Sequence, residues 1–275
     1  MQNVFARARS CALLVLISVL AGAARAEEAL ESAPEGVDAR AIALRAEESL
    51  RSDRTYFKGS MTIRSPRLSR PRVVAFESWG DQGGDRSMIR IHAPAKDAGT
   101  GFLKLHPNLW MYVPRVERTV RIPPSMMLQS WMGSDFTNDD LVRESSEIDD
   151  YDHRLLGVDP GGRETLAPRA WVVEYTPHED TAVVWGRIVA WLSVDTGAPL
   201  RQEFYDEQGE KIRVIHFSEI REQAGRHFPH RWALTPLEKP GHSTTIEIAE
   251  IQFDADFDDG IYTTRHLERG AGRVD

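Results

Sequence analysis

The sequence predicts a mainly β protein whose strands follow one another as an antiparallel meander. Apolar and polar residues alternate with a period of two in one short segment after another, and Gly, Pro, Asp and Asn separate these segments. Parallel strands would need crossover helices between them, and almost no stretch between the segments has helical periodicity. These two observations exclude a parallel α/β sheet.

One helix is predicted before the first strand. Asp38 is a suitable N-cap, and the apolar residues that follow recur at helical spacing on one face. That face comprises Ala39, Ile42, Ala43, Ala46 and Leu50. The opposite face is polar and includes Glu47, Glu48 and Arg51.

Thirteen strand-like segments follow, six before an acidic break and seven after it. They are residues 56–63, 72–79, 87–92, 101–106, 109–113, 119–122, 152–158, 170–176, 186–195, 199–206, 211–220, 227–235 and 244–253. Asp206 to Gly209 is expected to form a hairpin turn with glycine at positive φ. Several segments have large side chains on both faces of the strand. Periodicity alone therefore fits either a sheet curled round one or two helices or a plain sandwich.

The segment after the sixth strand interrupts this pattern. Pro123 and Pro124 end the strand, because neither can donate a hydrogen bond to a ladder. Ser125 is predicted to cap a short helix that is apolar on all sides. Its apolar residues are Met126, Met127, Leu128, Trp131 and Met132. Residues 133–134 should end this helix, and residues 137–140 should form a capping box. Because the helix has hardly any polar face, it either fills the core or faces an apolar ligand.

The first 26 residues predict export, and the length of the remaining chain predicts a single domain. Residues 1–26 have a basic start, an apolar run and small residues at an A-x-A site, so we expect cleavage between Ala26 and Glu27 and a periplasmic protein. Cleavage would remove Cys11, the one cysteine, so core packing rather than a disulfide must hold the fold. The predicted organisation is a flexible lead over 27–35, one domain over 36–268 and a tail over 269–275.

The charge balance is acidic, with a formal net charge of −8. Removing the predicted leader also removes its three arginines, and the net charge becomes about −11. This balance argues against nucleic acid as a partner and, for the chain as a whole, against an anionic membrane surface. A local basic strip is formed by Arg64, Arg67, Arg70 and Arg72, and we expect it to be a solvated hairpin loop.

No signature of an enzyme is found in the sequence. The nine histidines lack a metal-binding spacing such as H-E-x-x-H, and no serine lies in G-x-S-x-G. Asp135, Asp139 and Asp140 lack the ligand spacing of a calcium loop. Gly83 and Gly84 are expected in a hairpin turn, because no helix follows them to bind phosphate. We therefore expect no catalytic residue, no metal and no cofactor.

Several blocks of the sequence carry a family resemblance. The most specific lie within residues 110–143, at 114–116 (PRV), 121–125 (RIPPS) and 130–141 (SWMGSDFTNDDL). Others are 93–96 (APAK), 99–102 (GTGF) and 191–195 (WLSVD). With these blocks the chain resembles the LolA-like family of outer-membrane lipoprotein-sorting proteins, in its broad uncharacterised branch.

The resemblance implies a fold and a function. The implied fold is a curled antiparallel half-barrel with a few helices covering its open mouth, as in LolA and LolB, and residues 125–140 would form the lid. The implied function is to carry lipid or lipoprotein acyl chains through the periplasm without chemistry, together with an ABC-type permease or RND exporter of the inner membrane. The alternative is a sensor or accessory subunit that docks on a transporter or signalling protein and carries no cargo.

Eight residues of this region are predicted to line the apolar cavity or its lid. They are Trp110, Tyr112, Met126, Met127, Leu128, Trp131, Met132 and Phe136. No position of the chain matches the motif with which the family's studied carrier gates its cargo. The sequence does not determine the cargo, the membrane partner or the oligomeric state.

Overall fold

The computed structural model of the chain describes residues 30–81, 85–142, 147–162, 168–179, 181 and 184–269. The predicted export signal, residues 27–29 of the predicted lead, Gly83 and Gly84 of the predicted hairpin turn, and all but the first residue of the predicted tail lie outside these ranges. Glu31, within the predicted lead, pairs through its backbone with Val158, with N–O distances of 2.8 and 2.9 Å.

The described part contains three α-helices and thirteen strands. The helices are α1 (Ala39–Leu50), α2 (Asn138–Val142) and α3 (Thr264–Arg269). The strands are β1 (Arg54–Arg64), β2 (Arg72–Asp81), β3 (Arg86–Ala93), β4 (Gly101–Leu105), β5 (Asn108–Val113), β6 (Arg118–Ile122), β7 (Tyr151–Asp159), β8 (Ala170–Pro177), β9 (Arg187–Ser193), β10 (Pro199–Tyr205), β11 (Lys211–Gln223), β12 (Arg226–Pro236) and β13 (Ser243–Phe253). Each predicted strand is therefore confirmed, with small differences at its ends.

All thirteen strands belong to one antiparallel sheet in the order β6-β5-β4-β3-β2-β1-β13-β12-β11-β10-β9-β8-β7. The chain starts at the centre with β1, runs strand by strand to the edge at β6, crosses to the opposite edge at β7 and returns to β13, which pairs with β1. Because β6 and β7 do not pair, the curled sheet stays open. The predicted half-barrel is confirmed, and the alternative of a two-sheet sandwich is excluded.

A bulge near the centre of the sheet explains one glycine. The register between β1 and β13 shifts between Lys58 and Gly59. A Cβ atom on Gly59 would lie 2.6 Å from the backbone oxygen of Glu247, so no larger residue fits. Bulges of this kind bend the strand that carries them, which contributes to the curl of the sheet.

The inner face of the sheet holds the main core. The helix α1 begins as predicted at Asp38, whose carboxylate accepts a hydrogen bond from the backbone N–H of Arg40 at 2.9 Å. Its small residues Ala39, Ala43 and Ala46 are buried against this face, which lets the helix approach closely. The segment between β6 and β7 crosses the same face, and we call residues 123–142 the crossover segment.

The outer face carries a smaller core beneath α3. It consists of the buried residues Met88, Leu103, Tyr112, Tyr262 and Leu267. Arg90, also buried, donates hydrogen bonds to the carbonyl groups of His266 and Leu267 at 3.0 and 2.8 Å. These carbonyls lie in the last turn of α3 and have no partner within the helix. Arg90 therefore fastens the C-terminal helix to β3.

The crossover segment corrects one prediction. The helix predicted from Ser125 through Met132 is absent, and two 3-10 helices, Pro124–Met126 and Trp131–Gly133, replace it. Met132 and Gly133 have φ angles of 51° and 72°, which an α-helix does not accommodate. The backbone instead pairs across a loop, because Trp131 N donates to Phe136 O at 2.8 Å and Asn138 N donates to Gln129 O at 3.0 Å.

Two other local predictions are confirmed. Thr137 caps α2, since its Oγ1 accepts from Asp140 N at 3.2 Å while Asp140 Oδ2 accepts from Thr137 N at 2.8 Å. This reciprocal pattern is a capping box. The turn at Asp206 to Gly209 closes with a 3.1 Å hydrogen bond from Gly209 N to Asp206 O, and Gly209 has a φ of 81°.

Candidate functional site: an apolar cavity under the crossover segment

A cavity of about 290 Å³ lies between the inner face of the sheet, the end of α1 and the crossover segment. Its lining is mostly aromatic and aliphatic. These apolar residues are Leu50, Phe57, Phe76, Ile89, Trp131, Phe136, Trp185, Ile188, Phe204, Ile215, Phe217, Trp232, Ile246 and Ile248. They come from both halves of the sheet, so the cavity exists only because the sheet curls.

Trp131 forms the roof of the cavity on the side of β2 and β4. Its ring packs edge to face against Phe76 and Phe102, with centroid distances of 6.0 and 5.7 Å. Phe57 packs in the same manner on Phe76 at 5.9 Å. Edge-to-face pairs at these distances are favourable, so the aromatic group holds this part of the crossover segment on the sheet.

A buried ion pair joins the crossover segment to the other half of the sheet. Arg213 on β11 donates from both terminal nitrogens to the carboxylate of Asp140 on α2, with N–O distances of 2.8 and 2.6 Å. Its guanidinium group lies 4.4 Å from the ring centroids of both Trp185 and Phe204. The bidentate geometry and the two rings fix the orientation of Arg213 inside an apolar surrounding.

The Arg213–Asp140 pair determines the charge of this carboxylate. Burial of Asp140 opposes its ionisation, but the hydrogen bonds and charge of Arg213, with those of Thr137, outweigh burial and lower its pKa below the ordinary 3.8. The pair is therefore ionised at neutral pH. Removal of either partner would leave the other charge buried without a counter-ion, which is strongly destabilising.

Further polar contacts hold the tip of the crossover segment. Asp135 N donates to Thr244 Oγ1 at 3.0 Å, and Thr244 Oγ1 donates to the carboxylate of Asp135 at 2.7 Å. Arg72 on β2 donates to the carbonyl of Met132 at 2.6 Å and to Asp97 at 2.6 Å. The segment is thus bonded to β2, β11 and β13, which lie at different positions around the curl.

One group of polar lining residues lies where α1 ends and β7 begins. It includes Arg51, Asp139, Glu147 and Tyr151. Burial, with nearby carboxylates, raises the pKa of Tyr151, so its phenol stays neutral. The cavity is therefore lined mainly by apolar side chains, with this polar group at one place and with Ser78, Ser87 and the Arg213–Asp140 pair as further polar lining. This arrangement suits a ligand with an apolar chain and a polar group at one end.

Sequence comparison assigns the chain to a family. A family model described as an uncharacterized protein matches residues 83–269, which is more than half of the chain. The chain belongs to this family. No curated protein matches the chain in sequence.

Solved structures share the fold of this family member. A DUF1329 family protein from Desulfovibrio piger has a TM-score of 0.74 and 22% identity, covering 83% of this chain and 97% of its own. A proposed outer membrane lipoprotein-sorting protein domain from Vibrio parahaemolyticus has a TM-score of 0.72 and 21% identity, covering 84% and 98%. A LolA superfamily protein from Nitrosomonas europaea has a TM-score of 0.66 and 21% identity, covering 84% and 99%. The LolA-like resemblance is thereby confirmed at the level of the fold.

Among the described helices, none has the length and apolarity needed to span a bilayer. In the part of the chain that the structure describes, no three His, Cys, Asp or Glu side chains lie close enough together to hold a metal ion.

The structure brings only part of the predicted lining together. Trp131 and Phe136 line the cavity, whereas Met127 is buried in the inner core and Met132 packs against that core. Met126 and Leu128 are exposed, at 38% and 64% of their surface. Their exposure follows from the loop that replaces the predicted helix.

Trp110 and Tyr112 belong to the opposite face. They pack in the outer core, and their neighbours Leu109 and Met111 point inward instead. Strand alternation places every second residue on the same face, but the sequence does not show which of two apolar sets faces the cavity. Trp110 and Tyr112 thus do not line it.

The remaining lining residues were missed. Eight of them, including Arg213, lie on β9 to β13, far along the chain from the crossover segment, and others lie on α1 and β1 to β3. One signal was available, because Arg213 is a charged residue in a strand with apolar residues on both faces. Its partner Asp140 is 73 residues away, which no local pattern reveals.

Proposed function

We propose that the chain is a periplasmic carrier that binds an acyl chain of a lipid or lipoprotein in the cavity and performs no chemistry on it. The apolar cavity closed by the crossover segment is the observation that carries this proposal. The fold shared with a proposed outer membrane lipoprotein-sorting domain supports it. An inner-membrane exporter of the ABC or RND class would supply or accept the cargo.

The energy for binding comes from burial of methylene groups. Each one removed from water contributes about 0.8 kcal/mol, so a chain of even six buried groups contributes roughly 5 kcal/mol before the costs of ordering. The cavity, at about 290 Å³, is at the lower limit of the roughly 300–1,000 Å³ found for ligand sites. A long acyl chain therefore needs the crossover segment to move outward, which requires the Arg213–Asp140 pair to open.

Lipid extraction of the purified protein followed by mass spectrometry tests the proposal directly. We expect about one lipid per chain, and we expect the apolar dye N-phenyl-1-naphthylamine to bind the delipidated protein. A folded protein that contains no lipid and binds no dye would contradict the carrier function. It would favour the docking subunit instead.

A matched pair of substitutions locates the ligand. Ser78 lines the cavity on β2, so Ser78→Phe should fill it and weaken dye binding about tenfold or more. Ser60 lies on β1 and does not line the cavity, so Ser60→Phe makes the same change elsewhere in the sheet and should leave dye affinity unchanged. Ser87→Phe is a second filling variant should Ser78→Phe fail to fold, which circular dichroism will show. Equal affinities of the Ser78 and Ser60 variants would place the ligand outside the cavity.

A further inference from the structure

Three arginines of the basic strip noted in the sequence form an exposed surface with no acidic partner among the described residues. Arg64, Arg67 and Arg70 lie at the tip of the β1–β2 hairpin and are exposed. Within the described part of the chain, none of their guanidinium groups forms an ion pair or hydrogen bond, whereas Arg72 beside them is bound to Asp97 and Met132. Three unpaired cations therefore stand together on a chain whose net charge is −8.

Exposed apolar side chains accompany these arginines. Leu68, at the same tip, has 40% of its surface exposed. Leu237, on the neighbouring turn between β12 and β13, is 46% exposed. The two turns touch, because Ser65 Oγ and His242 Nε2 are 3.2 Å apart. Glu238 and Lys239 of the second turn offset each other, so the arginines determine the charge of the joined surface. We call residues 64–71 and 237–242 the hairpin tips.

We propose that the hairpin tips form a contact surface for an anionic lipid bilayer. The arginines would bind lipid phosphates, and Leu68 and Leu237 would enter the boundary between head groups and acyl chains. The charge of the surface selects an anionic partner, and the two leucines favour a bilayer over an acidic peptide in water. This surface is separate from the cavity and does not depend on the cavity carrying a lipid.

The hairpin tips are also connected to the crossover segment. Thr244, two residues after the second tip, exchanges hydrogen bonds with Asp135, and His242 Nδ1 lies 3.6 Å from the same carboxylate. Arg72, directly after the first tip, holds the carbonyl of Met132. A bilayer that displaces the tips would therefore act on the segment that closes the cavity, and we expect cargo exchange to be faster at the membrane.

Vesicle co-sedimentation tests the contact. We expect the purified protein to sediment with vesicles of phosphatidylcholine and phosphatidylglycerol in a ratio of about 3:1, and not with phosphatidylcholine alone, because each arginine near an anionic surface strengthens binding about fivefold. Arg67→Glu with Arg70→Glu should weaken binding about 25-fold or more. Leu68→Ser should weaken it about tenfold. Added salt should weaken it as well, because salt screens the arginines.

A matched control separates the surface from overall charge. Arg118 and Arg121 on the edge strand β6 are also exposed, and no ion pair of theirs is found in the described residues. Arg118→Glu with Arg121→Glu makes the same charge change and should leave vesicle binding within about twofold. Absence of binding to anionic vesicles, equal binding to phosphatidylcholine, or an equal loss in this control would overturn the proposal. Dye binding to the cavity should be unchanged in all these variants. Dye binding therefore tests the carrier function, and vesicle binding tests the membrane contact independently of it.

Discussion

The inner face of the sheet is covered by two elements that are held there in different ways. The helix α1 packs through Ala39, Ala43 and Ala46, and its ion pair between Arg40 and Asp149 is exposed and weak. The crossover segment is held by the aromatic group around Trp131 and, in addition, by the buried Arg213–Asp140 pair.

We infer from this difference which of the two elements moves. Packing of small apolar residues weakens gradually with distance and does not depend on ionisation. A bidentate ion pair is either formed or broken, and its strength depends on charge and water. We therefore expect α1 to remain a fixed wall of the cavity and the crossover segment to be its opening part. Four experiments test this contrast.

The largest effect is expected from breaking the ion pair. Asp140→Ala leaves the buried guanidinium of Arg213 without a counter-ion, which should lower the free energy of unfolding by about 3–5 kcal/mol. Urea titration measures this loss, and stopped-flow fluorescence should show faster dye release. The double variant Asp140→Leu with Arg213→Met should recover most of the stability, because no buried charge remains. A double variant as unstable as the single one would contradict the role of the pair.

A smaller effect is expected on the side of α1. Ala43 is almost fully buried against the sheet, so Ala43→Leu should overpack this contact and cost about 2 kcal/mol. Because α1 is a fixed wall, the rate of dye release should not change. Release as fast as in Asp140→Ala would show that both elements open, and the contrast between them would be lost.

Two helix caps allow a closer comparison. Thr137→Ala removes the cap of α2, and Asp38→Ala removes the cap of α1, each at a cost of about 1 kcal/mol. Only Thr137 also donates to the carboxylate of Asp140, at 3.0 Å. Thr137→Ala should therefore speed dye release, whereas Asp38→Ala should not. The same release rate in the two variants would remove the link between α2 and opening.

Mild acid should have the smallest effect. The pKa of Asp140 is lowered in the folded protein, so its contribution to stability is complete above the ordinary value of 3.8 and is lost as the pH falls through the folded pKa. Between pH 7 and about pH 5 the closed state should hardly change. Below about pH 4 the wild type should lose stability more steeply than Asp140→Asn, which has no such carboxylate. Parallel curves for the two proteins in urea titrations would contradict this assignment.

Local sequence patterns predicted most of the fold. Alternation with a period of two located all thirteen strands, and the caps at Asp38 and Thr137 lie where the side chains of these residues indicated. The helix predicted after Ser125 failed because apolar composition and helical spacing do not reveal the left-handed conformation of Met132 and Gly133. The candidate site was predicted only at Trp131 and Phe136, which the crossover segment carries.

The sequence by itself determined the strands, the turn at Asp206 to Gly209, the first helix and the resemblance of residues 110–143, because each depends on neighbours a few positions apart. Only the tertiary structure decided that Met111 rather than Trp110 faces inward, since this depends on the direction in which the whole sheet curls. It also decided that Asp140 meets Arg213, and that Arg64, Arg67 and Arg70 form no ion pair at the hairpin tips, whereas Arg72 binds Asp97. Such contacts join residues from distant strands, and their energy arises only when the curled sheet brings them out of water together.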